Sequence, residues 1–242
     1  MWRTFFEICD YLVALIPSRK MRKKIRHEQL YDYRKKFNAL RKIIPAHEFK
    51  HIRVIKGGWN IGFIINKKYV CKIRKFFDSN TPIEKIMREK RITDAFAKIV
   101  PFKIPKIEIL ESDGYTFYKY NFIPGINLNR FSLKTMKKHH IRWGKQLADF
   151  IYTMHNSDPT EIQDLKTDDG DGWNHNDICN NLILDKKSMK IIGLIDWEYS
   201  GWGKLETEIV NCTRFSKKLP KTGIDKIISQ EYKKLEKKHP RS

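Results

Sequence analysis

The chain of 242 residues lacks the features that build disulfide-linked, disordered or membrane-spanning proteins. Its four cysteines lie far apart and form no Cys-x-x-Cys pair, which argues against a disulfide framework or structural zinc site and favours a reducing compartment. No stretch is dominated by glycine, serine or proline, and 40% of the residues are hydrophobic, so disorder is not expected. No apolar run reaches the roughly 20 residues that a transmembrane helix needs.

Acidic residues are outnumbered, with 28 Asp and Glu against 49 Lys and Arg, and the formal charge is +21. This excess implies an anionic partner, which could be nucleic acid, a membrane surface or phosphate groups. The densest run, RKMRKKIR at residues 19–26, has six cations in eight positions. The sequence shows no nucleic-acid-binding motif and no aromatic-basic platform, so nucleic acid is the less favoured partner.

The basic run follows the segment FFEICDYLVALIP, whose apolar residues recur at helical spacing. Glu7 and Asp10 interrupt it and argue against a secretory signal. An apolar stripe beside a polybasic run suits a helix lying on anionic lipid. A terminal helix packed on the main domain, with its charges solvated, explains the pattern equally well. Residues 1–50 are therefore predicted to form a basic amphipathic helical segment, with residues 1–26 as the candidate membrane contact.

The hydrophobic pattern then divides the chain into a strand-rich half and a helical half. Thr81 and Pro82 are expected to open a helix that runs to residue 99. The chain becomes mainly helical after Pro124 and Gly125, with a buried helix over 133–155 that includes Ile141. The predicted strands are 52–55, 62–65, 69–73, 107–110 and 115–120. The predicted domains are an N-lobe at 51–123 and a C-lobe at 124–242.

The residues with the clearest chemistry lie between 173 and 203, in WNHNDICNNLILDKKSMKIIGLIDWEYSGWG. Phosphoryl transfer needs a carboxylate that accepts the proton of the acceptor hydroxyl, together with oxygen ligands that hold Mg²⁺ against the phosphates. A short hairpin, with strands at 182–184 and 191–195, would bring Asn181 and Asp196 together. With Asp177, these residues are candidates for such a site.

These motifs resemble those of the aminoglycoside phosphotransferase and choline/ethanolamine kinase superfamily, over roughly residues 52–215. HNDICNNL followed by IDWEYSGWG carries the resemblance, and FIPGINL and the EIVN at 208–211 add weaker matches. The resemblance implies an α+β, two-lobed protein-kinase-like fold, with a small antiparallel-sheet N-lobe containing one helix and a mainly helical C-lobe. It also implies ATP and Mg²⁺ as cofactors and a hydroxyl group as acceptor.

The resemblance assigns roles to individual residues of this chain. Asp177 would be the catalytic base, His175 would brace the catalytic loop, and Asn181 and Asp196 would bind Mg²⁺. Lys72 would contact the α- and β-phosphates. The other implied nucleotide-binding residues are Glu89 as the partner of Lys72 (with Glu84 as the alternative), Gly57, Gly58 and Asn60 in a turn over the nucleotide, and Tyr120 and Phe122 in a hinge at 118–123.

Two departures from the family pattern leave alternatives open. Only three residues separate Asp177 from Asn181, where the family usually has four, so an inactive scaffold is an alternative function. Asn181 is preferred as the metal ligand because it immediately precedes the strand at 182–184, and Asn180 is the alternative. Glu208 stands where the family usually has Asp. The acceptor is expected to be a small molecule or an envelope glycan, such as choline, ethanolamine or a lipopolysaccharide sugar. The segment LIPSRKMRKKIR is weakly similar to the starts of some bacterial envelope glycosyltransferases, which favours the cytoplasm, at the inner membrane face.

Overall fold

The structure is a computed structural model that describes residues 15–22, 33–56, 60–74, 83–214 and 216–239. Its contacts divide the chain into two compact units. The first contains the described residues up to Ile86 together with Ile107–Phe122, and the second contains Met87–Lys106 and the described residues from Ile123 onwards. Residues 87–106, which the sequence assigned to the N-lobe, therefore pack with the second unit.

The first unit is built on a five-stranded antiparallel sheet with the order β1-β2-β3-β5-β4. The ends of its strands all lie within two residues of the predicted bounds. They are β1 (Ile52–Lys56), β2 (Asn60–Ile65), β3 (Tyr69–Arg74), β4 (Glu108–Ser112) and β5 (Tyr115–Asn121).

Helix α1 (Tyr33–Ile43) covers one face of this sheet. Leu40 of α1 is fully buried and packs in one cluster with Phe63 and Phe117 of the strands. Lys36 is also buried, and its Nζ donates to the backbone oxygen of Arg74 at 2.7 Å. This part of the predicted N-terminal segment therefore belongs to the core of the first unit. Residues 1–14 and 23–32, which include most of the predicted membrane contact, lie outside the described residues.

Helix α2 (Ile83–Phe96) crosses the boundary between the two units, and the second unit is mainly helical. Its central helix α3 (Leu133–His155) has the predicted bounds and begins where the Ser132 hydroxyl accepts the backbone N–H of Thr135 at 3.1 Å. Ile141, predicted to help bury this helix, is instead 52% exposed. The other long elements of this unit are α4 (Leu205–Arg214) and α5 (Ile224–Lys238), which packs along α3.

Two small sheets complete the second unit. Strands β6 (Ile126–Asn127), β8 (Leu182–Leu184) and β9 (Ile191–Leu194) form one, and β7 (Gly172–Asn174) pairs with β10 (Gly201–Gly203) in the other. The antiparallel pairing of β8 with β9 confirms the predicted hairpin. Among the described residues, no helix combines the length and hydropathy needed to cross a membrane.

Candidate active site

The β8–β9 hairpin places Asn181 and Asp196 at the same end of its two strands. Leu182 lies opposite Leu194, and the backbone N–H of Ile195 donates to the oxygen of Asn181 at 3.2 Å. Asp196 follows with a φ of +66°, a left-handed conformation in which an aspartate is uncommon. This kink ends the strand at the point where the carboxylate leaves it. Two residues with oxygen-bearing side chains therefore lie at the same end of the hairpin, and their role as metal ligands stays a prediction.

The loop after β7 holds His175 and Asp177. His175 is fully buried, its ring lies against Trp197 at a centroid distance of 4.9 Å, and its Nδ1 accepts the backbone N–H of Asp177 at 3.2 Å. Asn176 between them has a φ of +66°, so the chain turns sharply at this position. The histidine therefore contacts the backbone of the loop, and the bracing role expected for it stays a prediction.

Asp177 is half-buried and is held by two asparagine side chains. Asn181 donates through its Nδ2 to the Asp177 backbone oxygen at 2.8 Å and to Oδ2 at 2.9 Å, and Asn180 donates to Oδ1 at 3.3 Å. Burial raises the pKa of the Asp177 carboxyl, the two amide hydrogen bonds oppose this rise, and the charges of Asp196 and Glu198 add to it. Its pKa is shifted towards the range that suits a general base.

The two adjacent asparagines play different parts in this loop. The Asn180 side-chain oxygen accepts from Asn129 Nδ2 at 2.9 Å, and its backbone oxygen accepts from Asn127 Nδ2 at 2.6 Å. Asn180 therefore connects the loop to the end of β6 and to the residues that follow it. Neither Asn127 nor Asn129 was among the predicted site residues, although Asn127 lies within the FIPGINL match and Asn129 directly follows it.

The hydrogen bonds favour Asn181 over Asn180 as the candidate metal ligand, and this assignment stays a prediction. Its amide nitrogen is engaged by Asp177, so its oxygen is the atom of that side chain that can bind a cation. Mg²⁺ takes oxygen ligands and is often held by only one or two protein groups together with substrate phosphates. An amide oxygen and the Asp196 carboxylate fit that chemistry. The described residues contain no group of three or more His, Cys, Asp or Glu that could form a fuller protein cage.

Glu208 of α4 accepts hydrogen bonds from the backbone of the same loop. It is 2% exposed, its Oε2 accepts the backbone N–H of Asn176 at 2.7 Å, and it also accepts a backbone hydrogen bond from His175. Burial raises the pKa of this carboxyl to about 7, although the two hydrogen bonds favour the ionised form. The longer side chain that departs from the family pattern therefore still reaches the loop backbone.

Replacing Glu208 with glutamine should change the pH dependence of stability. The native pKa of about 7 lies above the ordinary value of 4.5, so between these pH values the native state keeps a proton that the unfolded chain releases. This group therefore costs the wild type about 3 kcal/mol of stability as the pH rises through that window. In urea unfolding, the free energy of unfolding of Glu208→Gln relative to that of the wild type should therefore rise by about 3 kcal/mol between pH 5 and pH 8.

The matched control for this comparison is Glu206→Gln on the exposed side of the same helix. It removes the same charge without touching the loop. Parallel stability profiles for wild type and Glu208→Gln across pH 5 to 8 would contradict the assigned pKa.

Glu89 contacts the segment that follows Asp196. This residue of α2 is 4% exposed, and its Oε1 accepts the backbone N–H of Trp197 at 3.2 Å. Glu89 is therefore a buried anchor for the chain beside Asp196. Lys72 belongs to the first unit and Glu89 to the second, so the expected pairing of these two residues stays a prediction.

In the first unit, one sheet face carries the residues expected to bind nucleotide. Lys72 of β3 lies beside Tyr118 of β5 and is largely buried, with its Nζ 5.1 Å from the centroid of the Tyr118 ring. The Tyr118 hydroxyl donates to Oδ1 of Asn60 at 3.3 Å. Because side chains alternate along a strand, this face is opposite the one that α1 covers.

The hinge residues extend the same face with an apolar surface. Tyr120 packs with Ile64 and Val70, and Phe122 lies against this group. The backbone N–H of Phe122 donates to the oxygen of Lys68 at 2.8 Å, which fixes the end of β5. Lys72, Asn60, Tyr120 and Phe122 therefore share one region of the unit. Gly57 and Gly58, predicted to form the turn over the nucleotide, lie outside the described residues.

No protein-family model and no curated protein matches the sequence. The solved structures do show similar folds. The GDP complex of wild-type aminoglycoside 2′-phosphotransferase-IIIa matches with a TM-score of 0.66 and 12% identity over 85% of this chain and 84% of its own. The ternary complex of streptomycin, ATP and APH(2″)-IIa matches with a TM-score of 0.63 and 14% identity over 84% and 83%.

A macrolide phosphotransferase has the same architecture. The apoenzyme of macrolide 2′-phosphotransferase MphH from Brachybacterium faecium matches with a TM-score of 0.56 and 11% identity, over 82% of this chain and 81% of its own. At sequence identities this low, the similarity supports a shared fold and nothing further. The predicted fold class is therefore confirmed: this chain has the two-lobed, protein-kinase-like fold of the aminoglycoside phosphotransferases.

Proposed function

We propose that the chain is an ATP-dependent phosphotransferase that transfers the γ-phosphoryl group to a hydroxyl group. The observation that carries this proposal is the arrangement of Asp177, Asn181 and Asp196 in the second unit. The half-buried carboxylate of Asp177 has a raised pKa and accepts a hydrogen bond from the amide nitrogen of Asn181, whose amide oxygen is a suitable ligand for a cation. The carboxylate of Asp196 belongs to the residue that follows the hairpin at the same end. This is the minimum set that phosphoryl transfer requires.

Each residue of the set would do a separate task. Asp177 would orient the acceptor hydroxyl and take its proton as the oxygen attacks phosphorus. Asn181 and Asp196 would hold Mg²⁺, which neutralises phosphate charge when it is bound. Lys72 would bind the phosphates, and the apolar surface formed by Tyr120 and its neighbours would receive the adenine ring. His175 and Glu208 would keep the loop backbone in place.

The acceptor is proposed to be a small alcohol or an exposed sugar hydroxyl. Choline, ethanolamine and lipopolysaccharide sugars are the candidates from the sequence. Asp196 and Glu198 lie close enough to raise the pKa of Asp177, so the surroundings of the base are negatively charged and favour a cationic acceptor. Tyr199 adds an aromatic side chain that is 55% exposed, which suits an ammonium group.

The site of action is proposed to be the cytoplasm, at the inner face of the membrane. The +21 charge and the basic run at residues 19–26 support this placement, since anionic lipid attracts polybasic segments.

A screen for ATP consumption tests the proposed function. Purified full-length chain is incubated with Mg²⁺-ATP and either choline, ethanolamine, sugars, aminoglycosides or core glycans, and phosphorylated product is followed by mass spectrometry. We expect at least one hydroxyl acceptor to be phosphorylated, and we expect Asp196→Asn to abolish the product. Nucleotide binding with no turnover would favour the scaffold, and salt-sensitive nucleic-acid binding with no affinity for ATP would exclude the kinase.

A further inference from the structure

One side of helix α3 is rich in cations. Residues 133–148 contain no aspartate or glutamate, and the first acid in the helix is Asp149. Most of the cations in this stretch have no acid three or four residues away along the helix. Lys145 is the exception, because it lies four residues before Asp149 and close enough to Glu231 of α5 to lower the pKa of that carboxyl. The exposed members are Lys134, Lys137, Lys138, Arg142 and Lys145.

These cations form one continuous surface because of their helical spacing. Positions 134, 138, 141 and 145 follow the i, i+4, i+7, i+11 pattern of a single stripe, and residues 137 and 142 flank it. The opposite side of the helix is buried through Met136, Trp143 and Leu147. Ile141, with 52% of its surface exposed, lies in the middle of the stripe. We call the exposed residues 134, 137, 138, 141, 142 and 145 the α3 basic face.

The turn between β8 and β9 enlarges this surface. Arg142 Nη1 donates to the oxygen of Ser188 at 2.8 Å, and the indole N–H of Trp143 donates to the oxygen of Met189 at 2.7 Å. These two contacts fix the turn beside α3. The turn contributes three more exposed cations, Lys186, Lys187 and Lys190.

We propose that the α3 basic face, with the adjoining turn, binds an anionic phospholipid surface. Clusters of four to eight cations on an amphipathic helix are typical of binding to anionic lipid. The exposed Ile141 supplies the apolar group that enters the headgroup boundary. Binding to single-stranded nucleic acid would instead use exposed aromatic rings for stacking, and the aromatic residue of this stretch, Trp143, is 1% exposed.

This surface is formed by residues other than those of the N-terminal segment. It belongs to the second unit, and its proposed role does not depend on the proposed phosphotransferase activity. Membrane binding through this face would place the second unit directly on the lipid, whatever the N-terminal residues do. A lipid-linked or envelope acceptor would then be delivered to an enzyme already at the surface.

Vesicle sedimentation with the full-length chain tests the proposal. The vesicles are phosphatidylcholine alone, or phosphatidylcholine with about a third phosphatidylglycerol. We expect binding to the anionic vesicles to exceed binding to the neutral ones more than tenfold at low salt, and to weaken as salt rises. A quadruple variant, Lys134→Gln, Lys138→Gln, Arg142→Gln and Lys145→Gln, should bind anionic vesicles at least tenfold more weakly. Ile141→Ser should bind the anionic vesicles about two- to fivefold more weakly than the wild type.

A control variant of equal charge separates the surface from the net charge. It changes four exposed lysines elsewhere in the second unit to glutamine, namely Lys98, Lys233, Lys237 and Lys238. We expect the binding of this control variant to anionic vesicles to differ less than twofold from that of the wild type. Equal losses in both quadruple variants, or no loss in the α3 variant while its melting temperature matches wild type, would overturn the proposal. Loss of RNA binding in the α3 variant, without vesicle binding in wild type, would also overturn it and assign the face to nucleic acid.

Discussion

Replacing Asp177 with asparagine should lower the rate of phosphoryl transfer by about a hundredfold to ten-thousandfold, the range that a general base contributes. Asparagine keeps the shape of the side chain and an oxygen that can accept from Asn181, but it cannot take the proton of the acceptor hydroxyl. We therefore expect kcat to fall while the affinity for ATP and the melting temperature change little. Product formation at saturating ATP measures the effect.

The control for this variant is Asp168→Asn in an exposed loop of the same unit. It removes the same charge without contacting the site and should leave the rate unchanged. A rate for Asp177→Asn within threefold of wild type would contradict the assignment of Asp177 as the base.

The pH dependence of activity in the wild type provides a second test of Asp177 as the base. Only the ionised carboxylate can accept a proton, so activity is lost as the pH falls through the pKa of Asp177. Because burial and the neighbouring acids raise that pKa, the acidic limb of kcat/KM should lie above the ordinary aspartate range. Removing a neighbouring charge with Glu198→Gln should move this limb to lower pH.

The second large effect is expected from Asn181, and it distinguishes Asn181 from its neighbour. Asn181→Ala removes an oxygen donor for the cation and a hydrogen bond to the base at 2.9 Å, so we expect the rate to fall by at least a hundredfold. The concentration of Mg²⁺ that gives half-maximal activity should also rise. An activity titration with Mg²⁺ measures both quantities.

Asn180→Ala provides the matched comparison one residue away. It removes the longer contact of 3.3 Å to Asp177 and the tie to Asn129, but no proposed metal ligand. We expect about a tenfold loss of rate with an unchanged Mg²⁺ requirement. If Asn180→Ala raises the Mg²⁺ requirement and Asn181→Ala does not, the two assignments must be exchanged.

The sequence predicts best the parts that depend on local patterns. The apolar residues of 133–155 predict α3, and its observed bounds are those predicted. The alternating strands and the short turns likewise define the sheet of the first unit and the β8–β9 hairpin. The motifs HNDICNNL and IDWE lie close together in the sequence, so the candidate base and metal ligands can be proposed without a structure.

The remaining features depend on contacts between distant residues. The tie between Asn129 and Asn180 spans 51 positions, and the hydrogen bond from Asn176 to Glu208 spans 32. Neither leaves a periodic signal in the sequence. The choice between Asn180 and Asn181 likewise needs the direction of two amide groups. Ile141 is apolar, but its position along the helix places it on the side opposite the buried Trp143 and Leu147, and its side chain is exposed. Grouping it with the apolar residues of α3 without regard to the helical period misplaces it.

The most direct test of the proposed activity needs no knowledge of the acceptor, because water can replace the acceptor hydroxyl in slow hydrolysis of ATP. The release of phosphate is measured with wild type and with Asp177→Asn and Asp196→Asn, each with Mg²⁺ and with excess chelator. We predict slow hydrolysis by the wild type that requires Mg²⁺ and is lost in both variants. Bound ATP without hydrolysis by the wild type, or equal hydrolysis by all three proteins, would contradict the account.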